Sequence, residues 1–294
     1  MKATFHKKLI IIAINAFFII LISNKINSQG TSISSLKPPH FFIGLTAYPS
    51  KASIINKEIE TVSQVSSTKE NTYSGTFEIG YYFSRHFGLF TGIGLGNYKS
   101  TFSIPSYQLS YDTIDSEHEN YNRRISGSDI KEIQKITLIK VPFVAIFQIP
   151  VSRGFGLYLQ SGLNISFPLK STYSSSGVFS YSGYYPSYNV TFTNLSYEGF
   201  QNNVNSNIDG ELRLKRVTAE FTGSSGIYFS LSRSVLVSIG AFYNTMLTGI
   251  SDYANINSFR LSTFPEKLNS IMEGSKEVTT NCMGVDVSLR FFMK

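Results

Sequence analysis

The chain has 294 residues, with 26 Lys and Arg against 19 Asp and Glu, a formal charge of +7 and a single cysteine, Cys282. One cysteine excludes an intrachain disulfide and a cysteine-rich metal site. Beyond the amino terminus the basic residues form no long block, only the small group Arg213, Lys215 and Arg216, so nucleic acid is excluded as a partner on charge pattern.

Lys2, Lys7 and Lys8 open the chain, the run from Leu9 to Ile22 is apolar except for Asn15, and Ser23, Asn24, Asn27, Ser28 and Gly30 follow. This basic, apolar, polar order predicts a secretory signal peptide over 1–28, cut between Ser28 and Gly30. The apolar run falls short of the roughly 20 residues that a membrane helix needs. Loss of the four lysines at 2, 7, 8 and 25 lowers the charge from +7 to +3, so much of the basic excess serves export. Residues 29–39 then form a short periplasmic segment.

From residue 40 the dominant pattern is period two. Phe155, Leu157, Leu159, Leu163 and Ile165 share one parity, and Gly156, Tyr158, Gln160, Gly162, Asn164 and Ser166 the other, which on a strand gives one apolar face and one polar or small face. Val285, Val287, Leu289, Phe291 and Met293 repeat the pattern. The same template predicts strands at 40–49, 73–83, 87–101, 136–149, 155–168, 216–230, 234–247 and 282–293.

Three of the connections are tight turns that carry Ser-Arg: Ser84-Arg85, Ser152-Arg153 and Ser232-Arg233. The others run from 23 to 47 residues. Short and long connections alternate strictly, so in an antiparallel meander all the short turns lie at one end and all the long loops at the other. That asymmetry predicts an all-β fold: an eight-stranded antiparallel up-and-down transmembrane β-barrel over 40–294, with short periplasmic turns and long extracellular loops.

The stretches "FEIGYYF", "LYLQSGLNISF", "LIKVPFVAIF" and "VDVSLRFF" together resemble the outer-membrane β-barrel family common in Bacteroidota, often called PorT-like, and so an OmpA/OmpX-like eight-stranded barrel. The resemblance implies outer-membrane lipid as a partner, and the barrel-assembly machinery during insertion. One departure is that the chain runs past Phe291 and Phe292 to Met293 and Lys294.

If the apolar parity faces lipid, Glu78, Lys140, Glu220, Asp286 and Arg290 point inward, with Tyr82, Tyr158 and Tyr228 beside them. An eight-stranded barrel is narrow enough for side chains to fill, so these charges are expected to pair as a lumenal network that plugs it. Gly88, Gly92, Gly94 and Gly96 are expected inward, making room for larger neighbours. No helix follows "GIGLGN", which excludes a nucleotide-binding loop there.

His40, His86 and His118 are the histidines beyond the signal segment, and no "GxSxG" elbow is present, so no catalytic residue, cofactor or metal ligand is assigned. Asp112, Asp115, Glu117, His118 and Glu119 read as a solvated acidic loop. The third outer loop is rich in tyrosine among Ser, Gly and Asn: Tyr173, Tyr181, Tyr184, Tyr185, Tyr188 and Tyr197. Such a mixture suits contact with an extracellular protein or glycan, while some of these residues can equally extend the barrel as a hairpin. The expectation is a structural or surface-interacting barrel. Its rivals are a small-solute channel or rim enzyme, and a secreted soluble barrel with its apolar parity inward around a hydrophobic ligand.

Overall fold

The computed structural model describes residues 40–56, 65–152, 154–253, 260–265, 267–275 and 277–293. The signal peptide expected at 1–28, the segment 29–39 and Arg153 lie outside the described residues. The strands are β1 (His40–Asn56), β2 (Ser66–Tyr82), β3 (Phe87–Ile114), β4 (Asn120–Ser152), β5 (Phe155–Tyr185), β6 (Val190–Phe192), β7 (Val204–Glu211), β8 (Thr218–Ser230), β9 (Val235–Met246), β10 (Ser262–Phe264), β11 (Lys267–Leu268) and β12 (Val278–Phe292).

β1, β2, β3, β4, β5, β8, β9 and β12 pair antiparallel in that order. β12 returns to β1, from Phe42 opposite Phe292 to Asn56 opposite Val278, so the eight strands close into a ring. Closure removes the sheet edges, which allows an apolar outer face without unpaired backbone.

The facing separates the membrane barrel from the soluble one. Leu45, Phe77, Ile93, Leu95, Phe143, Leu163 and Val285 point outward, 41% to 58% exposed, while Glu78, Lys140, Glu220, Asp286 and Arg290 are at most 7% exposed inside the ring. A soluble barrel would hide the first set and hydrate the second.

The Ser-Arg turns owe their serines to the backbone. Ser84 Oγ accepts hydrogen bonds from the N–H groups of His86 (3.2 Å) and Phe87 (3.0 Å), and Ser232 Oγ accepts from that of Ser234 (3.2 Å). A hydroxyl that satisfies turn amides two or three residues on is a local device for closing a short hairpin.

The outer connections differ most from the sequence expectation. The loop expected between 101 and 136 is mostly hairpin, with β3 and β4 paired from Ile104 opposite Ile130 up to Ile114 opposite Asn120. β5 follows β4 up to Tyr184 opposite Asn122, and β7 adds along its other edge. The cause is an inversion of polarity along continuous strands. Lower down, apolar residues face out. Higher up, Lys99, Thr101, Lys131 and Lys135 face out, while Tyr98, Phe102, Ile104, Ile130 and Ile136 are at most 2% exposed. A bulge reinforces the change on β5: Leu138 faces Pro168 and Thr137 faces Lys170, so Leu169 is an extra residue that shifts the parity.

The connection from β9 to β12 turns back into the mouth of the ring. Ile250, Leu261, Leu268, Ile271 and Met272 are at most 2% exposed and share one apolar core with Tyr98, Phe102, Ile130, Tyr173 and Phe179.

Candidate functional site

Two buried ion pairs lie inside the ring, each bridging a single intervening strand. Arg290 Nε donates to Glu78 Oε2 at 3.0 Å, and Thr46 Oγ1 donates to Glu78 Oε1 at 2.5 Å. Glu78 on β2 and Arg290 on β12 flank Gly44 in one row of the sheet, and a Cβ on Gly44 would sit 3.0 Å from Arg290 Cγ and 3.3 Å from Glu78 Oε2. The glycine lets the two long side chains meet above it. The Arg290 guanidinium also lies near the rings of Phe42 and Phe90, at 5.4 and 5.6 Å.

Lys140 Nζ donates to Glu220 Oε2 and to the Tyr98 hydroxyl, both at 2.7 Å. Tyr98 in turn donates to Glu220 Oε1 at 2.5 Å, and Asn164 Nδ2 donates to Oε2 at 3.1 Å. Gly96 makes room here, since a Cβ would come 2.5 Å from Lys140 Cε. Asp286 accepts from the Tyr158 hydroxyl. Each carboxylate therefore has a donor in a region where an unpartnered charge would be costly.

Among the described residues, buried aromatic and apolar side chains pack at both ends of the lumen. At the short-turn end Phe42, Tyr82 and Phe292 form a floor, with ring centroids 5.4 to 5.8 Å apart. At the other end the β9–β12 connection is the ceiling, held by Glu132. This carboxylate accepts from Gln134 Nε2 (2.6 Å), Ser270 Oγ (2.7 Å) and the backbone N–H of Ile271 (2.8 Å), where a short 3-10 turn begins. Burial pushes the Glu132 carboxyl up to about 6, against the pull of those donors.

The predicted tyrosines separate. Tyr173, Tyr181 and Tyr185 face inward and are 8%, 0% and 5% exposed, so they belong to the interior of the projecting sheet. Tyr188 and Tyr197 are 60% and 77% exposed at the tip. Tyr184 donates to Asn189 Oδ1 at 3.0 Å, and the Arg124 guanidinium lies 4.6 Å from its ring. The bulge at Leu169 sets which tyrosines point in.

The tip brings the acidic turn and the tyrosine segment into one cleft. Asp115 Oδ1 accepts from the N–H groups of Glu117 and Glu119, both at 2.9 Å, and Oδ2 from the Tyr185 hydroxyl at 2.9 Å. Tyr188 donates to Glu119 Oε1 at 2.6 Å, and Ser116 to Glu198. The bound N–H of Glu119 helps to hold the Asp115 carboxyl below its usual range. The cleft holds about 420 Å³, walled by Asp115, Glu117, Glu119 and Glu198 on the acidic side and by Tyr185, Tyr188, Phe192, Leu195 and Tyr197 on the apolar side. His118 sits in the turn with φ 67°. Among the described residues no group of three or more His, Cys, Asp or Glu side chains could hold a metal ion.

Arg123 was not legible as a site residue. It is 1% exposed, donates to the carbonyls of Glu198 and Gly199 at 3.1 Å each, and lies 4.1 Å from the Phe264 ring. It thereby ties β4, the cleft wall and the ceiling together. Its neighbours come from loops far apart in sequence, so only the fold shows them meeting.

Comparison with known proteins follows the same outline. No curated protein matches the chain. Among solved structures, Neisserial surface protein A (NspA) is 12% identical, covering 85% of this chain and 96% of that chain at a TM-score of 0.36. Ail, the attachment invasion locus protein of Yersinia pestis, in complex with the heparin analogue sucrose octasulfate, is 10% identical, covering 87% and 100% at 0.32. OprG from Pseudomonas aeruginosa is 12% identical, covering 89% and 99% at 0.32. At these values nothing about a ligand passes to this chain. The family model for an outer membrane protein beta-barrel domain matches residues 39–245, which runs from the residue before β1 almost to the end of β9. The chain therefore belongs to that β-barrel family and is a protein of the bacterial outer membrane.

Proposed function

We propose that the protein is a closed, non-conducting barrel that holds a rigid platform outside the cell for contact with an extracellular protein or glycan. The closure of the lumen carries this reading. A solute would have to cross the aromatic floor, two networks of paired charges and an apolar ceiling. A lumenal void lined by Tyr48, Lys140, Gln160, Asn164 and Asn244, among others, measures about 30 Å³, room for about two or three water molecules. At the tip, by contrast, the cleft of about 420 Å³ falls within the range of ligand sites. Its exposed tyrosines offer flat apolar faces beside hydroxyls.

The same reading gives the barrel no catalytic role. His86 Nδ1 is engaged with the carbonyl of Gln148 at 2.9 Å, and His118 serves a tight turn. It also places the chain among PorT-like barrels of Bacteroidota, has residues 1–28 removed on export, and has the barrel-assembly machinery insert it. The amino-terminal residue pattern and the strand text support these assignments.

The test is reconstitution in planar bilayers together with a cell-surface binding assay. The wild type is expected to give no unitary conductance steps. Tyr188→Ala combined with Tyr197→Ala is expected to keep the heat-dependent gel shift of a folded barrel while losing surface binding. Steady conductance steps from the wild type would show a channel instead.

A further inference from the structure

We infer that Lys99, Lys135 and Lys170 form a phosphate-binding strip for a phosphorylated glycolipid of the outer leaflet. The inference depends on the outer-membrane setting, with the long-loop end outward, and not on the tip cleft.

Lys99 on β3 stands directly opposite Lys135 on β4. Lys170 on β5 stands opposite Thr137, the next outward position below Lys135. Three lysines thus stand on adjacent strands of one sheet face, Lys170 one outward position below the other two. Like charges directly opposite each other destabilise a sheet, so the arrangement calls for a counter-charge. Glu70 supplies part of one, 3.8 Å from Lys99 Nζ, with both side chains partly exposed. Among the described residues neither Lys135 nor Lys170 is in an ion pair. Glu211 lies one strand further on, opposite Thr172.

The height of the strip identifies what could neutralise it. Immediately below are Leu95, Phe167 and Leu169, which are 52%, 39% and 61% exposed on the outward face, with Ile139 between them. Level with Lys170, and between that apolar surface and Lys99 and Lys135, is a polar step, where Thr137 Oγ1 donates to Asn97 Oδ1 at 2.9 Å. The ammonium groups therefore stand where the lipid-facing surface ends and head groups begin. Lysine binds phosphate as a compact point charge, and its aliphatic stem can lie along the apolar surface beneath it. A phosphorylated lipid satisfies both halves of the surface at once, with acyl chains on Leu95, Ile139, Phe167 and Leu169 and phosphate on the lysines. Inorganic phosphate satisfies one half.

The experiment follows the heat-dependent gel shift of the detergent-folded, full barrel with added lipopolysaccharide, with its dephosphorylated form, and with inorganic phosphate. Lipopolysaccharide is expected to raise the unfolding temperature of the wild type, and the other two additives to leave it unchanged. The triple variant Lys99→Gln, Lys135→Gln, Lys170→Gln is expected to need at least about tenfold more lipopolysaccharide for the same rise. Without lipid it should be at least as heat-stable as the wild type, because the repulsion is gone. Should the triple variant fail to fold, Lys135→Gln alone is expected to weaken the response in the same direction. An equal response from variant and wild type overturns the inference. So does an equal effect of dephosphorylated lipid or of inorganic phosphate.

Discussion

β4 passes through two solvents. From Val141 to Ile149 its odd-numbered residues face lipid, and the inward set includes Gln148 and, just above this span, Lys140. From Ile130 to Leu138 the even-numbered residues are still inward, but now Ile130, Ile136 and Leu138 are apolar there while Lys131 and Lys135 are outside. The strand keeps its geometry while its outer face changes from apolar to charged; its inner face is mixed in both parts, with Val144 and Ile146 below and Glu132 and Gln134 above. In the membrane, lipid accepts the apolar side chains, so the interior can hold charges and must pair them. Above the membrane the surroundings are water, and the projecting sheet is stabilised as a soluble protein is, by burying Phe102, Ile104, Phe179 and Tyr181. The two halves should therefore fail in different ways.

The largest effect is expected in the lower half. Glu78→Ala leaves the Arg290 guanidinium buried without its carboxylate and should cost about 3–5 kcal/mol. Replacing both partners, Glu78→Leu with Arg290→Met, should recover most of that loss, since the penalty comes from a stranded charge. Urea unfolding of the barrel in lipid vesicles measures both. A single variant as stable as the double would show that the pair does not carry the lower half.

In the upper half the corresponding change is a cavity. Ile271 is fully buried in the ceiling, and Ile271→Ala should cost about 2–4 kcal/mol. The loss should be confined to the β9–β12 connection: hydrogen exchange there should speed up while the heat-dependent gel shift stays as in the wild type. A variant that lost the gel shift would show the two halves to be one cooperative unit.

A smaller effect separates the halves by pH. The Glu132 carboxyl is raised from its ordinary 4.5 to about 6, chiefly by burial. Its folded value lies above its unfolded one, so the folded state holds the proton more tightly. The resulting stabilisation is fully present below about 4.5 and is lost as pH rises through about 6, a swing of about 2 kcal/mol. Gln134 Oε1 is buried without a hydrogen-bond partner, so a protonated Glu132 would have an acceptor beside it. Exchange protection of the ceiling should therefore increase between pH 7 and 5 in the wild type. In Glu132→Gln it should be flat over that window. A wild-type profile with no slope would mean that the donors around Glu132 offset its burial.

The membrane half was readable in the sequence because one rule holds along it. Phe155 to Phe167 alternates with Ser161 as the one exception, and the same rule places Glu78, Lys140, Glu220, Asp286 and Arg290 inside. The projecting half follows the opposite rule, so a template that seeks apolar residues on the lipid side ends at the membrane edge. It loses β3 near Lys99 and β4 near Ile136, where Glu132 and Gln134 interrupt the inward parity that Ile130, Ile136 and Leu138 share. The tyrosine segment hid a second obstacle. One extra residue at Leu169 exchanges inside for outside, and nothing in its local text marks it as a bulge. The ceiling was out of reach for a different reason, since Glu132 and Ser270 meet across 138 positions of sequence.

The smallest expected effect belongs to neither interior. Ser84 Oγ accepts two backbone N–H groups at the short-turn end, so Ser84→Ala removes both bonds. The Phe87 end of that turn is exposed, where water can take the place of the hydroxyl, so the cost should be about 0.5–1.5 kcal/mol. Ser232→Ala removes one such bond and should cost less. Because the turns close hairpins, the change should show in the rate of folding into vesicles while leaving the pH slope of the ceiling untouched. A loss as large as that of Glu78→Ala would mean that the turns set the register of the ring, and that the lumenal pairs follow from it.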